Sequence, residues 1–271
     1  MSIAAVPFGA LSLAGQLDEL QAQVRRQPAD ADLRAQLFQL LAVQGDWARA
    51  AEQLNVCGHL NAQARPTQVL YASAIAAERE RESVLGGQAE PALLDETCDW
   101  LRAMISALRL DGTSPGQAAE LRGKAFEDAG ARGGALEVAT QEAAQPFQWI
   151  CDADSRLGPV FEFLAGGRYV WLPFAALKRV RLLAPEGLCD LIWAQAEIEL
   201  DDGRVRQGLV PARYPAAPGA RMAELSDSAK LGRTTDWRAL HGDTYAGVGQ
   251  KMWLTDAAET ALLEVRSLEL A

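Results

Sequence analysis

The feature that most constrains this chain is a change of hydrophobic period. Up to about residue 130 the apolar residues recur at helical spacing, and from residue 147 onward they alternate. Recurrence at i, i+3, i+4, i+7 buries one face of a helix, whereas strict alternation buries one face of a strand. Helices followed by strands define an α+β chain of two domains. The expected division is a helical domain over 10–130, a Gly- and Ala-rich linker over 131–146, and an α+β domain over 147–271.

In the first half, Leu17, Leu20 and Val24 form a helical stripe that ends at Pro28. Asp30 or Asp32 is placed to cap a second helix carrying Leu33, Leu37, Leu40 and Leu41. Gly45 stops it, and Asp46 opens a third with Trp47, Ala50, Leu54 and Cys57 on one face. So short a turn forces an antiparallel pair, with Trp47 expected to fold back onto Phe38 and Leu41. Gly15-Gln16-Leu17 and Gly45-Asp46-Trp47 open the same frame, 30 residues apart. The second copy resembles a tetratricopeptide repeat, with Phe38 in place of a small residue and Ala62 in place of the closing proline. Pro66 starts a helix to about Leu85 whose end, Glu78-Arg79-Glu80-Arg81-Glu82, reads as a solvated face. Asp95 is expected to open a helix burying Leu101, Met104, Ile105 and Leu108. Ser114-Pro115-Gly116-Gln117 has the form of a capping box for the next.

In the second half, Gly167–Phe174 and Lys178–Leu183 read as strands. The clearest is Ile192–Leu200, where Ile192, Ala194, Ala196, Ile198 and Leu200 form the core face and only Trp193 interrupts a polar one. Asp201-Asp202-Gly203 is a hairpin turn into Val205–Val210. Pro215 and Pro218 mark a loop, and Val248–Leu254 and Leu262–Leu270 supply two more strands. Local antiparallel pairing of this kind predicts an antiparallel sheet or partly open barrel with short helices.

Composition removes several functions. A net charge of −10 disfavours binding to a phosphate backbone, so no nucleic-acid partner is expected. The four cysteines are scattered without a C-x-x-C pair, which argues against a structural zinc and for reduced thiols in a cytoplasm. The start of the chain has no basic residue before Arg25, as a secretory signal would need, and no apolar run is long enough for membrane insertion. The one tempting chemical cluster is Asp152-Ala153-Asp154-Ser155-Arg156. Two carboxylates two residues apart could chelate a cation, with Arg156 on a phosphate, which keeps a metal-dependent phosphoester enzyme as the alternative reading. The same residues also make a turn: Asp154 or Ser155 caps and Arg156 pairs. His241-Gly242-Asp243 could supply a base with an acidic orienter but sits in a glycine-rich stretch. Trp193 and Trp237 are the tryptophans most open to a recognition role. No catalytic residue, metal site or cofactor is assigned.

Several stretches together resemble the ImpE family (TagJ or SciE type), accessory proteins of bacterial type VI secretion systems. They are Leu37–Ala50 with Gln53-Leu54, Phe147–Pro159, Gly167–Phe174, Asp190–Trp193, Pro211–Pro215, Gly249–Lys251 and Val265–Leu270. The resemblance implies a non-enzymatic cytoplasmic adaptor that binds the N-terminal helix of the small contractile-sheath subunit (TssB or VipA type) through its helical domain. If tetratricopeptide-like geometry holds, Ala35, Gln39, Ala42 and Val43 line the groove for that helix.

Overall fold

The protein is described by a computed structural model covering residues 11–94, 98–216 and 220–271. Asp95 and Pro218, singled out above, lie outside the described residues, as do the first ten residues. The main helices are α1 (Leu13–Arg26), α2 (Ala31–Val43), α3 (Trp47–Leu60), α4 (Arg65–Leu85), α5 (Asp99–Leu110) and α6 (Pro115–Asp128), with a single turn α7 (Asp227–Lys230). The strands are β1 (Ala92–Leu93), β2 (Gly134–Val138), β3 (Gln145–Phe147), β4 (Ile150–Asp152), β5 (Val160–Ala165), β6 (Arg168–Pro173), β7 (Leu177–Leu182) and β8 (Trp193–Leu200). They continue as β9 (Val205–Pro211), β10 (Arg213–Tyr214), β11 (Thr235–Ala239), β12 (Tyr245–Gln250), β13 (Met252–Thr255), β14 (Glu259–Ala261) and β15 (Val265–Leu270). This is a mixed α+β fold.

Helix boundaries follow local chemistry. The Asp30 carboxylate accepts from the N–H groups of Asp32 and Leu33, and that of Asp46 accepts from Arg49 N–H, each meeting donors a helix start leaves free. Between these helices Gly45 takes φ +70°, a conformation that disfavours any side chain. Pro115 stands in the first turn of α6, but Ser114 makes no side-chain cap, so the capping box does not form.

Nine strands form one open sheet in the order β1-β6-β5-β9-β8-β7-β15-β2-β3. Every pairing in it is antiparallel except β1 with β6. Two three-stranded sheets, β10-β12-β11 and β14-β13-β4, complete the β half. Alternation along each strand sends side chains to two different cores. From β8, Ala194, Ala196, Ile198 and Leu200 enter a core with Phe161, Phe163, Leu172, Trp253 and Leu262. Trp193 enters the other, together with Trp171 and Tyr169 of β6 and the helical residues Leu41, Tyr71, Ile75 and Leu101. The large sheet is therefore a middle layer, and the helices share a core with it.

Three expectations are corrected here. The stretch 131–146 is not a linker: Gly134–Val138 pairs with β15 on one side and β3 on the other. Its alternation lasts barely one period, Leu136 and Val138 in and Glu137 out, within a Gly- and Ala-rich run. Val248–Leu254 is not one strand, because the chain changes sheets at Lys251, between β12 and β13. Trp193 is not on an open face but fully buried under α3 and α4, its ring 5.7 Å from those of Trp47 and Tyr71. Trp47 turns its ring to Trp193 and donates its ring N–H to Glu82, sharing a core with Phe38 and Leu41, while the Phe38 ring meets Tyr71.

Candidate functional site

Charged residues concentrate where the helices meet the sheet. The run Glu78–Glu82 at the end of α4 is this junction, not a solvated helix end. Helical spacing turns Glu78 and Arg81 inward, and both are buried. Arg81 donates through Nε (2.6 Å) and Nη2 (3.0 Å) to the two oxygens of Glu162 on β5, and through Nη1 to Glu78 (3.3 Å) and the Arg213 carbonyl (3.1 Å). Glu162 also pairs with Lys251 and accepts from Tyr169 Oη. Glu78 accepts from the Trp193 ring N–H at 3.0 Å, so a buried indole donor has its partner. Glu80, further round the helix, accepts from Arg168 and from Tyr169 N–H.

The Asp152–Arg156 cluster joins the same network from below. Asp152 pairs through Oδ2 with Lys251, and its Oδ1 accepts from Tyr214 Oη at 2.8 Å and from Asp154 N–H at 2.9 Å. Asp154 Oδ1 accepts from Arg156 N–H (2.9 Å), and Oδ2 from Arg156 Nη2 (2.6 Å) and Gly247 N–H (2.9 Å). Burial pushes the Asp152 carboxyl up to about 6, against the pull of Lys251 and with help from the nearby Glu162 and Asp154 carboxylates. Glu162 is equally buried, but Arg81 and Lys251 together hold it well below the usual carboxylate range.

This arrangement locks a turn and leaves little for catalysis. Both oxygens of Asp152 and of Asp154 are already engaged, and each residue is buried, so neither offers an open position to a metal or a phosphoester. Among the described residues no group of three or more His, Cys, Asp and Glu side chains is arranged to hold a metal ion. His241 lies on the β11–β12 hairpin, exposed, and is not brought to this cluster.

The expected groove residues also lie elsewhere than an open surface. Gln39 is 2% exposed and Ala42 and Val43 are 0% exposed, while Ala35 is half-buried. The reason is Arg213, which sequence reasoning missed. Its guanidinium donates to the carbonyls of Ala42 (3.0 Å) and Val43 (2.7 Å) at the end of α2, where the Ala42 carbonyl also accepts from Gly45 N–H. It is fully buried, and desolvation lowers it to about 10. This face of α2 is thus docked on the β half, and a substitution at Ala42 tests folding rather than partner docking. The sequence signal was the Pro211-Ala212-Arg213-Tyr214-Pro215 stretch, an arginine between prolines with no local acid to pair it.

Apolar surface is left open where the helical layer stops. Beside α4 two adjoining depressions of about 310 and 510 Å³ share Leu70 and Gln207–Leu209. Val69 at 65% and Leu183 at 62% are the most exposed large apolar side chains among the described residues, and both border this channel.

The fold and this junction define a class: a three-layer α+β protein whose helices are fused to a sheet by buried ion pairs, with exposed apolar side chains beside the seam. A sequence model of the ImpE protein family matches residues 144–269. The type VI secretion system accessory component TagJ of Pseudomonas aeruginosa (strain PAO1) is 43% identical over 261 residues, spanning 94% of this chain and 88% of that protein. The crystal structure of protein VPA1032 from Vibrio parahaemolyticus superposes with a TM-score of 0.83 at 25% identity, covering 96% of this chain and 94% of that one. The chain belongs to the ImpE family, alongside TagJ.

Proposed function

We propose that this chain is a non-enzymatic accessory component of a bacterial type VI secretion system, a cytoplasmic adaptor that binds the N-terminal helix of the small contractile-sheath subunit. The observation that carries the reading is the 43% identity to TagJ, which runs through both halves of the chain rather than one. Two features support it. The Asp152 and Asp154 carboxylates are consumed inside the fold, so the phosphoester alternative loses the two acids it would use to hold a cation. Apolar side chains that the fold itself could have covered stay in solvent beside α4, as in a protein that meets another. No helix among the described residues is long and apolar enough to cross a membrane.

Calorimetry with the full chain tests the reading directly. A synthetic peptide of the sheath subunit's N-terminal helix is expected to bind saturably, and a sheath subunit lacking that helix is expected not to bind. Absence of heat with the peptide, or undiminished binding by the truncated subunit, would refute the proposed partner.

A further inference from the structure

We infer that the free edge of β11 pairs with the same edge of a second copy of this chain, antiparallel about Trp237, so that the protein forms a two-fold dimer. The inference goes beyond the sheath-helix reading and does not depend on it.

The edge is open. β11 is the outer strand of the sheet β10-β12-β11, and four of its five residues, Asp236 to Ala239, are exposed. At its two ends Gln250 N–H donates to the Thr234 carbonyl and Leu240 N–H to the Thr244 carbonyl. Facing residues in an antiparallel pair alternate between exchanging both hydrogen bonds and exchanging none. The register therefore bonds Asp236 and Arg238 to β12 and turns the N–H and C=O groups of Thr235, Trp237 and Ala239 away from it. Among the described residues nothing pairs with these outward groups. A row of unpaired backbone groups is a template for a further strand.

The side chains say which strand. A charged edge ordinarily repels its own copy, because like charges come to lie opposite each other. Here the two charges differ in sign and stand two positions apart, with Trp237 between them. Antiparallel pairing centred on Trp237 sets Asp236 across from Arg238 of the second copy, and the two-fold axis repeats the contact. These facing residues exchange no backbone bonds, which is where strands come closest, at roughly 4.5 Å between Cα atoms. Sliding the register by two residues either way sets Asp236 against Asp236 or Arg238 against Arg238. The centred register also uses every outward group, Thr235 with Ala239 on each side and Trp237 with its own mate. Within its own chain Arg238 lies near Glu224, whose carboxylate Arg221 already holds at 2.8 Å.

The opposite face of the strand supplies the apolar contact. Trp237 is 40% exposed and Tyr245, across from Ala239 on that face, 42%. Gly247 stands directly across from Trp237, and a side chain there would run into the Tyr214 ring. Trp237 instead leans over the glycine onto Tyr214, their ring centroids 6.0 Å apart. The indole is thus held beside the axis by its own chain, and its mate comes to lie opposite, as an aromatic cross-strand pair. Two three-stranded sheets become one of six strands, and both exposed edges disappear.

Sedimentation velocity of the full chain over a concentration series tests this, with folding of each variant followed by far-UV circular dichroism. The parent is expected to pass from monomer to dimer as concentration rises. Asp236→Arg and Arg238→Asp each set like charges opposite twice, and each is expected to weaken self-association about tenfold or more. A mixture of these two variants restores unlike pairs, so it is expected to dimerise where neither does alone. The double swap, Asp236→Arg with Arg238→Asp, is expected to regain parent-like association. Ala239→Pro removes an outward N–H and no bond to β12, so it is expected to weaken association with the circular dichroism unchanged. Should one charge variant fail to fold, the other and Ala239→Pro carry the test. A parent that stays monomeric at every concentration, a dimer that the folded variants leave intact, or weakened variants that neither the mixture nor the swap rescues would each overturn the inference.

Discussion

Replacing Arg81 tests whether the ion-pair junction joins the two halves. Its guanidinium is 1% exposed and donates two hydrogen bonds to Glu162, two from Nη1 to Glu78 and one to the Arg213 carbonyl. Arg81→Met removes all of these at once. Glu162 keeps Lys251 and Tyr169, while Glu78 keeps the Trp193 indole and the nearby Arg213 guanidinium, so the buried cluster loses one of its positive charges. Breaking a buried pair from one side costs about 3–5 kcal/mol, whereas exchanging both partners for apolar groups is often close to neutral. Arg81→Met and Glu162→Met are each expected to lower the unfolding free energy by about 3–5 kcal/mol, and the double variant by clearly less than the sum, a coupling of about 2 kcal/mol. Urea unfolding at pH 7 measures this, followed in parallel by tryptophan fluorescence, which reports Trp193 and Trp171 at the junction, and by far-UV circular dichroism. In the parent both probes are expected to report one transition, because the helices and the sheet share a core. A single variant that costs under about 1 kcal/mol, or a double variant that is simply additive, would refute the junction as the bond between halves.

Asp154→Ala removes the acceptor for Arg156 and for Gly247 N–H and strands a buried guanidinium. The expected loss is about 3–5 kcal/mol in urea unfolding, above the roughly 0.5–2 kcal/mol of a lost helix cap, and a cap-sized loss would show that Arg156 finds water instead. Asp152 gives a pH signature. Its carboxyl, raised to about 6, binds a proton more tightly in the folded protein than in the unfolded chain, so its contribution to stability is full below the unfolded value and is lost as pH rises through about 6. Glu162 acts in the opposite sense, since its lowered value contributes stability at neutral pH that is lost on acidification below the ordinary glutamate range. Between pH 7 and 5 the parent is therefore expected to gain about 1 kcal/mol relative to Asp152→Asn, and parallel stability curves over that interval would contradict the assignment.

What the sequence revealed was local, and what it hid was the identity of the covering surface. The caps Asp30 and Asp46, the turn at Gly45 and the core face of β8 are each set by residues within a few positions, and all stand in the structure. The polar face of β8 was misjudged at Trp193 because its cover, Glu78 and Trp47, lies 115 and more residues away. The same distance explains the charged run of α4. Alternating Glu and Arg on a helix ordinarily face water, and nothing near Arg81 in sequence announces Glu162, 81 residues on. The Asp-x-Asp-Ser-Arg cluster could be read as a turn from its residue types, but its cation, Lys251, lies 99 residues away. Of the expected groove, the helical pattern placed Gln39, Ala42 and Val43 opposite the α3 contact. It could not show that Arg213 would seat that face on the sheet.

The α2–α3 hairpin is used here as part of the core rather than as an open array. In a free-standing helical array the inner face of each first helix is open, and binding follows from stacking alone. Here the Ala42–Val43 end of α2 is spent on folding, because an arginine from the sheet half donates to the last carbonyls of the helix. The hairpin is held rigidly against Trp193 and the ion-pair junction, and the unspent surface moves to the outer flank of the next helix, α4. That surface is built on two regular elements, a helix wall and a three-strand floor, which together hold its shape. The junction and the channel are therefore coupled through α4: Arg81 and Glu78 fix one end of the helix in place while Val69 and Leu70 present the other.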